Sequence, residues 1–199
     1  MERFTTLTAV AAPLAQANVD TDVIIRVERC AQVPKHELGR YAFEALRFLP
    51  DGAGNPDFVL NREPWRRAQI LVCGDNFGCG SSREMAVWAL AGIGIRCVIA
   101  PSFGEIFHGN CFQNGVLAIR LPRETTLRLS ALASDPGTAT FTVDLERQKI
   151  NGEIAFEVDP LHRRMLLEGL DAIGLTLARE AEIAAWQAAD RARRPWVYP

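Results

Sequence analysis

Paired cysteines are missing from this sequence. Its five cysteines, Cys30, Cys73, Cys79, Cys97 and Cys111, are odd in number, and none stands in a Cys-x-x-Cys pair. That argues against a disulfide framework and for free thiols in a reducing cytoplasm. Long apolar runs are missing too. The longest uncharged apolar stretch runs from about Met85 to Ile95, too short for a bilayer crossing of about 20 residues. Met1-Glu2-Arg3-Phe4 lacks the apolar core of a signal peptide. No charge of one sign dominates: 22 Lys and Arg face 24 Asp and Glu, a formal net charge of −2. This gives no support for a nucleic-acid or membrane surface. A Walker loop, a Gly-x-Gly-x-x-Gly dinucleotide fingerprint and a Gly-x-Ser-x-Gly nucleophile elbow are all absent. So are internal repeats and low-complexity segments.

What is present is a chain of 199 residues with 48% apolar and 23% charged composition, enough for one domain with a substantial core. Residues 4–11 read as a strand that Pro13 ends. Asn18 to Asp22 reads as a polar turn before the apolar run Val23-Ile24-Ile25. A helix is predicted from about Lys35 to Phe48, with Leu38, Ala42, Ala45 and Leu46 on one face. Pro50 to Pro56 is a loop. From residue 69 strand and helix alternate. Ile70–Cys73, Cys97–Ala100 and Val116–Ile119 are predicted strands, with helices from Ser82 to about Ala91, after Ser102, where Ser102 and Glu105 have capping-box spacing, and from Pro122 to about Ala133. This pattern predicts a parallel α/β unit. Residues 139–158 alternate as a hairpin or meander. Asp159-Pro160 has the form of a helix start. A last helix is predicted over about 177–189, with 191–199 as an extended tail.

Chemistry concentrates in Gly74-Asp-Asn-Phe-Gly-Cys-Gly-Ser-Ser-Arg-Glu84. A strand leads in and a helix leads out. The glycine-rich turn thus delivers Ser81, Ser82 and Arg83 to a helix N-terminus, where bare N–H groups and the helix dipole favour an anion. Ser81 and Glu84 also have capping-box spacing, which alone would account for one serine. Two serines, and an arginine where the dipole opposes a cation, point further, to a small carboxylate or phosphate ligand held by the guanidinium.

Four ordered segments then carry a resemblance: Asn18-Val-Asp-Thr-Asp-Val-Ile-Ile25, Asn76-Phe-Gly-Cys-Gly-Ser-Ser-Arg-Glu84, Ile99-Ala-Pro-Ser-Phe103 and Gly169-Leu-Asp-Ala-Ile-Gly-Leu-Thr176. Together they resemble the small subunits of 3-isopropylmalate dehydratase, in the aconitase superfamily. The resemblance implies a swivelling β/β/α domain over 1–190, in which 26–67 forms a mobile substrate-specificity region. It implies a separate large subunit that carries a [4Fe-4S] cluster, with none bound by this chain. It implies a hydroxyl moved by dehydration and rehydration of a small dicarboxylic acid. By the same resemblance Ser81 is the catalytic base, Ser82 and Arg83 bind a substrate carboxylate, and Thr21 and Asp22 line the cleft. Ala31 falls where relatives acting on tricarboxylic acids carry an arginine. A small apolar residue there suits an alkyl group, hence isopropylmalate rather than citrate.

One departure is Met85, where relatives usually have histidine. It keeps another alkylmalate, such as citramalate or dimethylmalate, as an alternative substrate. A non-catalytic carboxylate-binding module is the other alternative. His108 reads as a surface or capping histidine, and the cysteines as buried thiols rather than metal ligands.

Overall fold

The computed structural model describes residues 1–198. Among these, β1 (Thr6–Leu14), β2 (Ile70–Cys73), β3 (Cys97–Ala100), β4 (Leu117–Arg120), β5 (Thr140–Asp144), β6 (Lys149–Ile150) and β7 (Ile154–Ala155) form one sheet. Their order is β4-β3-β2-β1-β5-β6-β7. β1 is the hinge of this topology. Its second half, Ala11 to Leu14, runs parallel to Ile70–Cys73 of β2, while Thr6 to Val10 runs antiparallel to β5. The parallel half, β2 to β4, is covered on both faces, so its strands are continuous apolar runs. β5 instead alternates, burying Phe141 and Val143.

The connection from β1 to β2 carries three short helices, α1 (Thr21–Ile24), α2 (Val27–Gln32) and α3 (Glu44–Arg47), and a 3-10 helix over Lys35–Tyr41. The crossovers are α4 (Glu84–Gly92) between β2 and β3 and α5 (Glu105–Gln113) between β3 and β4. α6 (Arg123–Ser134) follows β4 and packs across β1, β2 and β3. The chain ends in α7 (Pro160–Glu168), α8 (Ala172–Leu177) and α9 (Glu180–Arg193). No helix in the described residues is long and apolar enough to cross a membrane.

Several sequence expectations need correction. Pro13 does not end β1; it pairs with Val72 inside the parallel ladder. Ala11 donates its N–H toward the β5 side, to Ala139 O. Pro13 faces that same side, beyond the end of the β5 pairing, so its missing N–H breaks no ladder bond. The single helix predicted over 35–48 is two pieces. Gly39 lies so close to Gly92 of α4 that a Cβ would sit 2.5 Å from the Gly92 carbonyl carbon. Phe43, fully buried beside the Phe58 ring, adopts φ +55°. Tertiary packing overrides the helical pattern there. The last helix, expected over about 177–189, is α9 and runs on to Arg193; ahead of it stands the unexpected α8, capped by the Asp171 carboxylate at Gly174 N, 2.7 Å.

The tail is not extended through 198. Asp190 is buried and accepts from Arg193, from Arg194 Nε (2.8 Å) and Nη2 (2.7 Å), and from the Tyr198 hydroxyl (2.9 Å). Position 199 lies outside the described residues.

Candidate functional site

Three loops meet where β1, β2 and β3 end, the edge at which parallel α/β sheets place ligands. They are 18–22, 74–83 and 101–104. Backbone bonds lace them together. Asn18 N donates to Asp75 O (2.8 Å), Gly78 N to Val19 O (2.7 Å), Thr21 N to Cys79 O (2.9 Å) and Phe77 N to Ser102 O (3.1 Å). Gly78 is required at its place. Its φ is +70°, and a Cβ would lie 2.2 Å from the Phe107 ring.

The turn ends differently from its sequence reading. α4 starts at Glu84 with Arg83 as N-cap residue, and no side chain caps it. The Ser81–Glu84 capping box does not form. Glu84 turns away to accept from Asn114 Nδ2 (2.8 Å), and Asn114 Oδ1 accepts from Trp88 Nε1 (2.8 Å). Ser102 likewise forms no capping box; its hydroxyl accepts from Asn76 N at 2.8 Å. Ser81 is therefore free of a capping role. It is exposed, and its Oγ accepts from Arg83 Nη2 at 3.3 Å. Ser82 is exposed beside it. Among the described residues, the N–H groups of Ser82, Glu84 and Met85 donate to no protein acceptor.

Arg83 also meets Asp22. Nη2 donates to Asp22 Oδ2 at 2.8 Å, and Nη1 lies 2.5 Å from Oδ1. Nη1 is buried, and its N–H bonds point off that oxygen, leaving a close ion pair rather than a second aligned hydrogen bond. The Arg83 hydrogen bond holds the Asp22 carboxyl below its ordinary range, against a smaller opposing effect of burial, and the same bond raises the arginine. Thr21 is buried, and its hydroxyl donates to Ser81 O at 3.0 Å.

The structure thus brings together Ser81, Ser82, Arg83, Thr21 and Asp22. Ala31 is exposed on α2, outside this hydrogen-bonded group. Cys30, its neighbour, does feel the Arg83 and Asp22 charges, while burial raises its thiol above the ordinary range. The Asp22–Arg83 pair was not read from the sequence. The two stand 61 positions apart, and no local pattern joins them. His108 lies apart, between the Phe103 and Phe112 rings. Burial, helped by Arg120, pushes it down to about 4. Met85 packs against the core. Cys73, Cys97 and Cys111 are buried, and burial raises all three thiols. No group of three or more His, Cys, Asp or Glu among the described residues is placed to hold a metal.

Two family models match the chain. One, described as the aconitase C-terminal domain, covers residues 1–124. The other, described as the C-terminal domain of the 3-isopropylmalate dehydratase small subunit, matches residues 173–199. Similar proteins are named 3-isopropylmalate dehydratase small subunit. That of Gluconacetobacter diazotrophicus is 54% identical over 98% of this chain and 97% of its own. That of Rhodospirillum centenum is 54% identical over 99% of both. The chain belongs to the 3-isopropylmalate dehydratase small-subunit family. Its fold is similar to that of a crystal structure of 3-isopropylmalate dehydratase from Methanocaldococcus jannaschii. The two are 24% identical, with a TM-score of 0.65, over 90% of this chain and 98% of that one.

Proposed function

We propose that this chain is the small subunit of a heteromeric hydro-lyase that converts 2-isopropylmalate to 3-isopropylmalate by dehydration and rehydration, in leucine biosynthesis. The observation that carries the reading is the Ser81 hydroxyl, exposed and 3.3 Å from the Arg83 guanidinium, in a chain whose full-length relatives bear that enzyme's name.

Ser81 is the base that takes the carbon-bound proton and returns one on rehydration. A serine hydroxyl is far too weak an acid to be ionised at neutral pH, so it serves as a base only where its alkoxide is strongly stabilised. Arg83 Nη2 and the bare N–H groups at the start of α4 supply that stabilisation in a site closed to water. Ser82 and the same amides receive a substrate carboxylate, with Arg83 beside them, and Thr21 and Asp22 line the cleft, Asp22 turned to Arg83 rather than to the substrate. Ala31 faces the alkyl side, within a specificity region of residues 26–67 that closes over substrate at the interface with the large subunit.

The thiols of this chain do not suit a [4Fe-4S] cluster. Three are buried in β2, β3 and α5, and Cys30 and Cys79 are too few to hold one. We place the cluster on a large-subunit partner, and leave this chain with proton transfer and carboxylate binding.

The test is to mix the chain anaerobically with a cluster-bearing large subunit. The mixture is expected to turn over 2-isopropylmalate while neither chain does so alone. Failure to act on 2-isopropylmalate would overturn the assignment.

A further inference from the structure

One nitrogen joins three side chains at the site. Arg83 Nη2 has two N–H bonds, splayed in the guanidinium plane. It lies 2.8 Å from Asp22 Oδ2 and 3.3 Å from Ser81 Oγ. Spending one N–H on Asp22 turns the other toward the serine oxygen. Nη1 beside Oδ1, 2.5 Å away, keeps the guanidinium from swinging about its own axis.

The two partners differ in stiffness. Arginine has a long side chain with large rotamer freedom. Asp22 has a short one, on a backbone that is pinned. Asp20 caps that turn at Val23 N (2.8 Å), Thr21 N donates to Cys79 O (2.9 Å), and Thr21 Oγ1 donates to Ser81 O (3.0 Å). The last bond also fixes the Ser81 backbone. Both acceptors of Nη2 are therefore referred to one rigid turn, and the flexible cation is set between them. A carboxylate in this place is also a poor contact for a dicarboxylic substrate, which it repels.

We propose that Asp22 is a positioning residue for Ser81: acting through Arg83, it aims an N–H at the serine oxygen and does not itself touch the substrate. The proposal rests on the reading of Ser81 as the base. Asp22→Ala and Asp22→Asn, each assembled with the large subunit, separate the possibilities. Asp22→Ala is expected to lower kcat on 2-isopropylmalate on the order of 100-fold, the scale of a misplaced catalytic contact, with KM little changed. Asp22→Asn keeps an acceptor for Nη2 and is expected to recover most of that loss. A raised KM with native kcat would mean that Asp22 contacts substrate, and native kcat in both variants would mean that Arg83 needs no holding. Either result overturns the proposal.

Arginine 15N NMR of the isolated chain reads the same contact without activity. The Arg83 Nη protons should be resolved in the native chain and in Asp22→Asn, and averaged by rotation in Asp22→Ala. Identical Arg83 signals in native and Asp22→Ala chains would overturn the proposal whatever the enzyme does. A held Arg83 in a chain whose complex turns over no 2-isopropylmalate would instead remove the proposed function and leave the Asp22 contact standing.

Discussion

Replacing Gly78 with alanine probes the glycine turn most sharply. Two costs arise. At φ +70° a side chain meets the left-handed penalty of about 1–2 kcal/mol. The new Cβ would also sit 2.2–2.7 Å from three atoms of the Phe107 ring. That ring cannot retreat freely: it is 3% exposed, edge-on to Phe77 at 5.5 Å and stacked on Phe103 at 6.4 Å. Overpacking of this kind costs about 1–3 kcal/mol. The sum, about 2–5 kcal/mol, is a large part of a typical stability of about 5–15 kcal/mol. Each kcal/mol shifts the midpoint of a chain this size by about 2–4 °C, so thermal melting followed by circular dichroism should fall by about 10 °C. Gly94→Ala is the control, because Gly94 has φ +91° with nothing near its missing Cβ. It should lose only the backbone part. Gly78 N also donates to Val19 O at 2.7 Å, so a displaced turn carries the 18–22 loop with it, and activity of the assembled enzyme should fall as well. Equal melting of Gly78→Ala and Gly94→Ala would refute the argument, since it would mean that the phenylalanine cluster yields at no cost.

Acid should destabilise the fold through His108. Its folded-state value is pushed down to about 4, below the unfolded value of about 6.5. The unfolded chain therefore takes the proton first, and stability present above about pH 6.5 is lost as pH falls toward 4. The full shift would be worth about 3 kcal/mol, and screening at this partly exposed ring reduces it to about 1–2 kcal/mol. Urea melts of native protein and His108→Phe across that range should show a flatter acid limb in the variant, and equal limbs would count against the assignment. In the C-terminal segment, Asp190→Ala removes the acceptor shared by Arg193, Arg194 and Tyr198. Trypsin should then cut faster after Arg191 and Arg193, and unchanged cleavage would show that the tail is held otherwise.

The parallel half of the sheet was legible because β2 and β3 are short, wholly apolar runs bounded by glycine and proline. The meander at 139–158 was legible from its alternation, and the start of α7 from Asp159-Pro160, whose carboxylate does accept from Leu161 N (2.9 Å) and His162 N (3.2 Å). Residues 35–48 misled because helical periodicity says nothing of Gly39 lying on Gly92, a contact between segments far apart in sequence. The two capping boxes misled for different reasons: Ser102 accepts from Asn76 N across the loop junction, and Ser81 lies ahead of a helix that starts only at Glu84, its hydroxyl taken up by the Arg83 guanidinium. At the site, local chemistry was readable in Ser81-Ser82-Arg83. The charge that faces it, Asp22, was placed in the cleft by resemblance alone, and its grip on Arg83 needed coordinates.

The Ser81 hydroxyl is the atom on which the proposed chemistry turns, and Ser81→Ala in the assembled enzyme tests it directly. Turnover of 2-isopropylmalate should fall by about 100- to 10,000-fold, the range for a lost proton-transfer group, while KM, melting temperature and pairing with the large subunit stay close to native. Turnover within a few-fold of native would mean that some other group takes the proton.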